Sequence, residues 1–356
     1  MLNYEFPPLG GGASPVSYEI AKGYVKLGHS VDVITMGYKD LPNFEVKDGI
    51  NIYRVKCLRS KKEICHPHEM LSYIIYAKKF LKEHMKKNKY NINHTHFIIP
   101  TGYIALWLKK NYQLPYIITS HGSDVIGYNK RFRLIYPLLV NKWKLIIKEA
   151  KYVTTPSNFL RYEIGKYTNE GNFTVIANGI DPNKFKPLKK DKKILIVSRL
   201  FENKGVQDIL DALKDLDLKG YTVDIVGDGP YRNILEKKAS ENNLDDVVTF
   251  QGWVDNNSQE MKKLYGRAKI FISASYFENI SIVLLEAAAA GCTIIASDVG
   301  GNPEIIKNKS NLFERANMDE LREKINKSIK GKIEPIRIDE IFNREEIIKQ
   351  YSNLLI

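Results

Sequence analysis

Two pairs of charged residues stand where strands are expected to end. Arg199 and Lys204 fall in Ser198-Arg199-Leu200-Phe201-Glu202-Asn203-Lys204-Gly205, after an apolar β-branched run at 193–198. A guanidinium and a flexible ammonium in one loop can neutralise the charge that develops on a departing diphosphate, without help from a metal ion. Glu278 and Glu286 fall in Tyr276-Phe277-Glu278-Asn279-Ile280-Ser281-Ile282-Val283-Leu284-Leu285-Glu286-Ala287, after a run at 270–273 and before Gly291. Ser281 suits the start of a helix and Gly291 its end. The first-turn N–H groups of Ile282 and Val283 then face the edge of a sheet and form a ready phosphate site. Glu278 sits beside the positive helix end. Glu286 lies about one turn in, among Leu285 and alanines, where a carboxylate needs a partner. A ribose diol is one such partner; a solvated helix face is the plainer alternative.

Weaker signals follow other runs. Gly227-Asp228-Gly229-Pro230 and Asp298-Val299-Gly300-Gly301-Asn302-Pro303-Glu304 are glycine turns that let backbone approach a ligand. Gln251-Gly252-Trp253-Val254 is similar, with Trp253 either core or a base-stacking surface. In the first half, Pro7 to Gly12, with Gly11 and Gly12 at its end, precedes a helical pattern. His121-Gly122-Ser123-Asp124 follows the run at 116–120. His94 and His96 follow a less regular stretch; if extended, they are expected to point to opposite faces, one toward a ligand.

These residues need sheets to hold them. Strand candidates at 31–35, 50–55, 116–120 and 152–154 alternate with helical patterns such as 18–27 and 70–86. After a Pro-, Asn- and Lys-rich linker at 178–192, the pattern repeats. Strand candidates at 193–198, 221–226, 247–250, 270–273 and 293–297 enclose helices at 206–213, 231–242 and 282–290. Short apolar strands alternating with helices predict parallel sheets covered on both faces, and hence two Rossmann-like, doubly wound α/β domains. The opening strand, at residues 1–4, is short against the usual 5–6; either the true start lies upstream or the strand is clipped.

The chain has 356 residues, of which 44% are hydrophobic, enough for two cores. No apolar run spans a bilayer, no signal-peptide pattern opens the chain, and three cysteines without metal-like spacing fit a reducing cytoplasm. The net charge of +13 is lopsided: residues 1–186 hold 28 Lys and Arg against 14 Asp and Glu, the remainder 26 against 27. The stretches 73–90 and 128–151 interleave those cations with apolar and aromatic residues. They read either as ordinary packing helices or as a surface that docks on anionic lipid.

Taken together, these motifs resemble glycosyltransferase family 4, the retaining enzymes of GT-B fold. The resemblance covers nearly the whole chain and rests on Glu278-x7-Glu286, Arg199 with Lys204, Asn178-Gly179-Ile180-Asp181 with Phe185, and Gly227-Asp228-Gly229-Pro230, all in order. It implies two Rossmann-like domains facing a central cleft: an acceptor domain at 1–186, a nucleotide-sugar donor domain at 187–340, and a helix at 341–356 crossing back to the first domain. It implies that Arg199 and Lys204 contact the donor diphosphate and Glu286 the ribose. Glu278 lies near the sugar with Asn279, Ile280, Ser281, Ile282 and Val283, while Gly227 and Val254 complete the donor site. Gly11, Gly12 and His121 face the sugar from the other domain, with His96 and Asp124 on the acceptor side. No metal or other cofactor is expected, and Asp215-Leu216-Asp217 reads as surface. Relatives often carry Gly-Phe-Gly after the first glutamate; Asn279-Ile280-Ser281 departs from it in the stretch that contacts the sugar.

The expected reaction is metal-independent transfer of a sugar, with retention, from a UDP-sugar or, second, a GDP-sugar to a hydroxyl of a glycan or lipid-linked acceptor. No carboxylate stands out as a nucleophile, so front-face departure is favoured. A cytoplasmic protein, peripheral on the inner membrane face, fits the charge; nucleic acid is not an expected partner. The alternatives are a nucleotide-sugar epimerase or hydrolase on the same fold, and a non-catalytic basic surface-binding protein. An NAD-dependent oxidoreductase needs G-x-G-x-x-G spacing, which Gly10-Gly11-Gly12 lacks.

Overall fold

The computed structural model describes residues 1–127, 136–337 and 342–356. They form two compact units, Met1–Asn178 with Glu345–Ile356, and Gly179–Arg344. The first unit thus ends at Asn178 rather than at 186. Phe185 explains the difference: it is buried against Tyr265 of the second unit, ring centroids 4.7 Å apart. Part of the basic stretch 128–151 lies outside the described residues, as does the expected junction between 340 and 341.

The first unit carries β1 (Val31–Met36), β2 (Phe44–Lys47), β3 (Ile50–Val55), β4 (Asn93–His96), β5 (Tyr116–Thr119), β6 (Tyr152–Thr155) and β7 (Phe173–Val175). Strands β4 to β7 pair in parallel in chain order, and β1 pairs in parallel with β3. The opening residues join these two sets. Leu2 bridges Ile34 on one side and Thr95 on the other, donating to the His94 carbonyl at 3.0 Å and accepting from His96 N–H at 2.9 Å. The expected first strand therefore shortens to a one-residue bridge inside the sheet. Strand β2 returns antiparallel to β3 through Asp48 and Gly49, both at positive φ, and has no counterpart among the sequence-predicted strands because its Phe44 and Val46 are exposed.

Helices α1 (Ala13–Lys26), α2 (Pro67–Lys87), α3 (Thr101–Tyr112), α4 (Tyr136–Lys148) and α5 (Asn158–Gly165) connect these strands. Helix α2 starts at a capping box in which Glu69 accepts from the His66 N–H at 2.7 Å.

The second unit has six parallel strands: β8 (Asp191–Val197), β9 (Thr222–Val226), β10 (Val248–Gly252), β11 (Ala268–Ser273), β12 (Thr293–Ser297) and β13 (Leu312–Phe313). Their order is β10-β9-β8-β11-β12-β13. The chain winds outward from β8 on one side, then returns and winds outward from β11 on the other. The connecting helices are α6 (Val206–Leu213), α7 (Arg232–Glu241), α8 (Gln259–Arg267), α9 (Ile282–Ala289), α10 (Asn302–Ile305) and α11 (Met318–Ile329). Asp215 and Asp217 are exposed in the connection after α6. The last helix, α12 (Arg344–Asn353), buries Ile347 and Tyr351 in the first unit's core with Phe6, Ile20 and Val33.

Two glycines let the loops after β8, β9 and β11 crowd together. Gly205 has φ +68°, and a Cβ there would lie 2.0 Å from the Ala274 carbonyl oxygen. Gly227 has φ +131°, and a Cβ there would lie 1.8 Å from the Ser198 carbonyl oxygen. Both contacts are backbone, so no rotamer change relieves them. Gly205→Ala should therefore destabilise the second unit by about 2–4 kcal/mol, whereas the same change at a surface glycine of ordinary φ stabilises by about 0.4–1 kcal/mol. Urea unfolding monitored by far-ultraviolet circular dichroism checks this; a change below about 0.5 kcal/mol would mean that the loops yield freely.

Candidate functional site

The reversal of strand order lies between β8 and β11, and ligands of open α/β sheets bind beyond the strand ends at such a point. The loop after β8 carries Arg199 and Lys204; the loop after β11 carries Glu278. Lys204 Nζ reaches Glu278 Oε1 at 2.6 Å, and the two side chains are only 20% and 15% exposed. Backbone and side chains lock the same loops together. Tyr276 N–H donates to the Asn203 carbonyl at 2.9 Å, and Gln207 Nε2 donates to both the Glu202 carbonyl and Tyr276 Oη at 2.9 Å. Tyr276 Oη in turn donates to Asp208 Oδ1 at 3.1 Å. Burial pushes the Asp208 carboxyl above the usual carboxylate range. Arg199 is exposed, lies over the Phe201 ring at 5.3 Å, and has no ion-pair partner among the described residues. One cation is thus held against a carboxylate and the other is open.

Glu286 is 4% exposed on α9, and its carboxyl is raised by burial. Asn256 Nδ2 donates to Oε1 at 2.8 Å and Tyr265 Oη to Oε2 at 3.0 Å. The partner that the sequence demanded is therefore supplied within the unit, and the solvated-face alternative is excluded. Asn256 belongs to the loop after β10, which also carries half-buried Val254 and Trp253. Trp253 is 73% exposed, a surface residue and not core. Ser281 occupies the N-cap position of α9 in extended geometry, but its hydroxyl makes no capping bond. Ile280 is buried, leaving only its backbone for a ligand, whereas Asn279, Ile282 and Val283 are half-buried. Gly300 and Gly301 press on the carbonyl oxygens of Glu278 and Asn279, so the glycine turn after β12 supports this loop.

In the first unit, His94 and His96 sit on β4, and His121 sits in the loop after the adjacent β5. His94 and His96 do not point to opposite faces: residues two apart on a strand share a face. Their rings stack with centroids 4.5 Å apart, and both are buried. His94 contacts Tyr24 Oη at 2.9 Å and Thr119 Oγ1 at 2.7 Å. His96 Nδ1 lies 3.0 Å from His121 Nε2. Burial lowers His94 and His121 to about 3, and His96 lies well below the usual range for the same reason. Asp124, expected on the acceptor side, is buried and accepts from Ile98 N–H at 2.7 Å, His121 N–H at 3.1 Å and Ser120 Oγ at 3.1 Å. It shapes the His121 loop rather than offering an open carboxylate. Gly11 is half-buried and Gly12 exposed at the start of α1. Asn256, Tyr265, Gln207 and Asp208 were not anticipated. None stands in a glycine turn or at a charged pair.

Two Rossmann-like units with a switch-point site of this kind define the GT-B class of glycosyltransferases. Residues 10–184 match the family model Glycosyltransferase Family 4, and residues 179–343 match Glycosyl transferases group 1. An uncharacterized glycosyltransferase of Methanocaldococcus jannaschii is 33% identical over 342 residues, covering 87% of this chain and 83% of its own. The alpha-monoglucosyldiacylglycerol synthase of Streptococcus pneumoniae is 28% identical, over 84% and 69% of the two chains. Anabaena HepE, solved in complex with UDP and glucose, aligns with TM-score 0.77 at 19% identity, covering 99% of this chain and 98% of its own. The chain belongs to glycosyltransferase family 4.

The neutral imidazoles make the first unit acid-sensitive. A buried histidine held near 3 binds fewer protons folded than unfolded, so stability falls as pH drops below the unfolded value of about 6.5. With Trp253→Phe as background, Trp107 and Trp143 report on this unit. Between pH 6.5 and 5, the parent should lose about 1 kcal/mol per pH unit more than its His94→Phe derivative. Equal slopes would show that His94 takes up its proton without unfolding.

Proposed function

We propose that this glycosyltransferase moves a sugar, with retention, from a nucleotide-diphosphate donor to a hydroxyl of a glycan or lipid-linked acceptor. The observation that carries this reading is the placement of Arg199 and the Lys204–Glu278 pair on the two loops of the switch point. A diphosphate bound there would meet one open cation and one held by a carboxylate, together with the N–H groups that open α9. These cations supply the charge neutralisation that leaving-group departure needs, so the reaction is proposed to be metal-independent. Glu286, fixed by Asn256 and Tyr265, retains lone pairs for a ribose diol. No carboxylate is assigned as a nucleophile; front-face departure, in which the diphosphate oxygen takes the acceptor proton, uses the groups present. UDP-sugars are favoured over GDP-sugars, in keeping with the UDP bound by HepE.

Lys204→Ala and Arg199→Ala should each lower turnover about 100-fold or more while the protein still folds. Sugar transfer measured from a panel of UDP- and GDP-sugars, alongside circular dichroism, checks this. Near-normal transfer by either variant would overturn the diphosphate assignment.

An acceptor at a membrane surface is favoured by one face of α2. Leu71, Ile75 and Tyr76 are 58%, 57% and 48% exposed, and Lys79, Lys82 and Lys86 continue the same face. Such a helix suits the inner, anionic face of a membrane. No helix among the described residues is long and apolar enough to cross one. Flotation with phosphatidylglycerol vesicles at low salt should carry the protein, and Leu71→Asp with Ile75→Asp should reduce that binding about tenfold or more. Failure of the parent protein to float would end the proposal.

A further inference from the structure

Among the described residues, His96 Nε2 is the one buried nitrogen of the histidine cluster without a protein partner, on a side chain with no exposed surface. It restricts where the protons of its neighbour can be. His96 cannot carry two: burial and the neighbouring His94, His121 and Met1 amino group hold it far below imidazolium formation. Its single proton is on Nδ1 or on Nε2. On Nε2, it would be an N–H buried without an acceptor. On Nδ1, it points at His121 Nε2, 3.0 Å away with the rings 18° from parallel, and Nε2 is left as a bare lone pair. Orphaned N–H groups in protein interiors are rarer than under-satisfied acceptors. The bond that one ring nitrogen makes decides what the other can offer.

We infer that His96 is a positioning residue that donates from Nδ1 to His121 Nε2 and so fixes His121 as the Nδ1–H tautomer, with that N–H as the donor it presents to a ligand. His121 Nδ1 is the free end of this pair, since no protein group among the described residues bonds it. The His121 backbone is fixed independently, through its N–H to Asp124 Oδ1 and the Asp124 carboxylate to Ile98 N–H and Ser120 Oγ. Backbone and ring are therefore held by different partners, and His96 acts on the ring alone. His121 is then a hydrogen-bond donor rather than a general base: its open nitrogen carries a proton and has no lone pair to accept one. The assignment of a reactant as that ligand rests on the proposed glycosyl transfer; the tautomer does not.

Long-range proton–nitrogen spectra of protein labelled with 15N-histidine, with His121 assigned from a His121→Asn sample, read the tautomer directly. The proton is expected on Nδ1 of His121; a proton on Nε2 would overturn the inference whatever the enzyme's substrate. In the transfer assay, His96→Phe keeps the ring shape and removes the orphan nitrogen. It should leave the melting temperature and the donor KM unchanged while kcat falls about tenfold or more. His96→Asn, whose amide N–H falls near the Nδ1 position, should recover most of kcat. A kcat for His96→Phe within twofold of the parent, or a loss that follows a fall in melting temperature, would show that His96 is only structural. If the parent transfers sugar from no nucleotide donor, the proposed function fails while the spectra still decide the tautomer.

Discussion

The parallel pairing of β8 with β11 is the constraint on which the donor-side geometry depends. Strands that are distant in the chain become neighbours there, Ile270 beside Ile194 and Phe271 beside Leu195. Because the chain winds outward in opposite directions from this pair, the connections leave a gap above it, and the two loops that flank the gap come from residues 198–205 and 274–281. A cation-bearing loop and a carboxylate-bearing loop are thereby placed within 2.6 Å of each other. Gly205 and Gly227 are consequences of the same crowding: three loops leave adjacent strand ends, and their backbones touch where any Cβ would collide with a carbonyl.

Buried polar groups set the second level of organisation. Glu286, Asp124, Asp208, His94 and His96 are withdrawn from solvent, His121 is half-buried, and most of their polar atoms are bonded inside the protein. This follows from the free-energy cost of leaving such groups without partners. It also changes how their chemistry is read. A carboxylate already fixed by Asn256 and Tyr265 is oriented before any ligand arrives, and a histidine whose Nε2 faces another imidazole has only one nitrogen left to use. Fixed orientation of this kind is what positioning and electrostatic stabilisation require of an active site.

Much of the fold was legible because parallel strands buried on both faces are short apolar runs. The candidates at 50–55 and 293–297 coincide with β3 and β12, and 206–213 with α6. Strand β4 was obscure because it reads Asn-His-Thr-His, polar residues whose burial is possible only through bonds to Tyr24, Thr119 and His121 on other elements. The opening strand was over-read because alternation cannot reveal that a single residue bridges two strands. The charged pairs at 199–204 and 278–286 were legible as loop chemistry, since each follows a strand and precedes a helix. Their internal partners were not, because Asn256 and Tyr265 meet Glu286 only through the order of strands β10 and β11 in space. Tyr276 and Asp208 meet by the same route, across β8 and β11.

The Lys204–Glu278 pair decides how costly it is to use the site. A lone ammonium between two loops would be hydrated and mobile, and ordering it would fall to the ligand. Paired at 2.6 Å in a mostly buried position, it is ordered beforehand. In the proposed reaction, a diphosphate with more negative charge than one carboxylate would compete for that ammonium, and Glu278, once released, would stay beside the same crevice as an acceptor for hydroxyl groups. The exchange would replace one bond within the protein by bonds to the ligand. Arg199, exposed and without a carboxylate of its own, adds attraction with no such exchange. In the proposed reaction, a held cation and an open one on a single loop would divide the work, the first fixing geometry and the second adding net charge where the diphosphate departs.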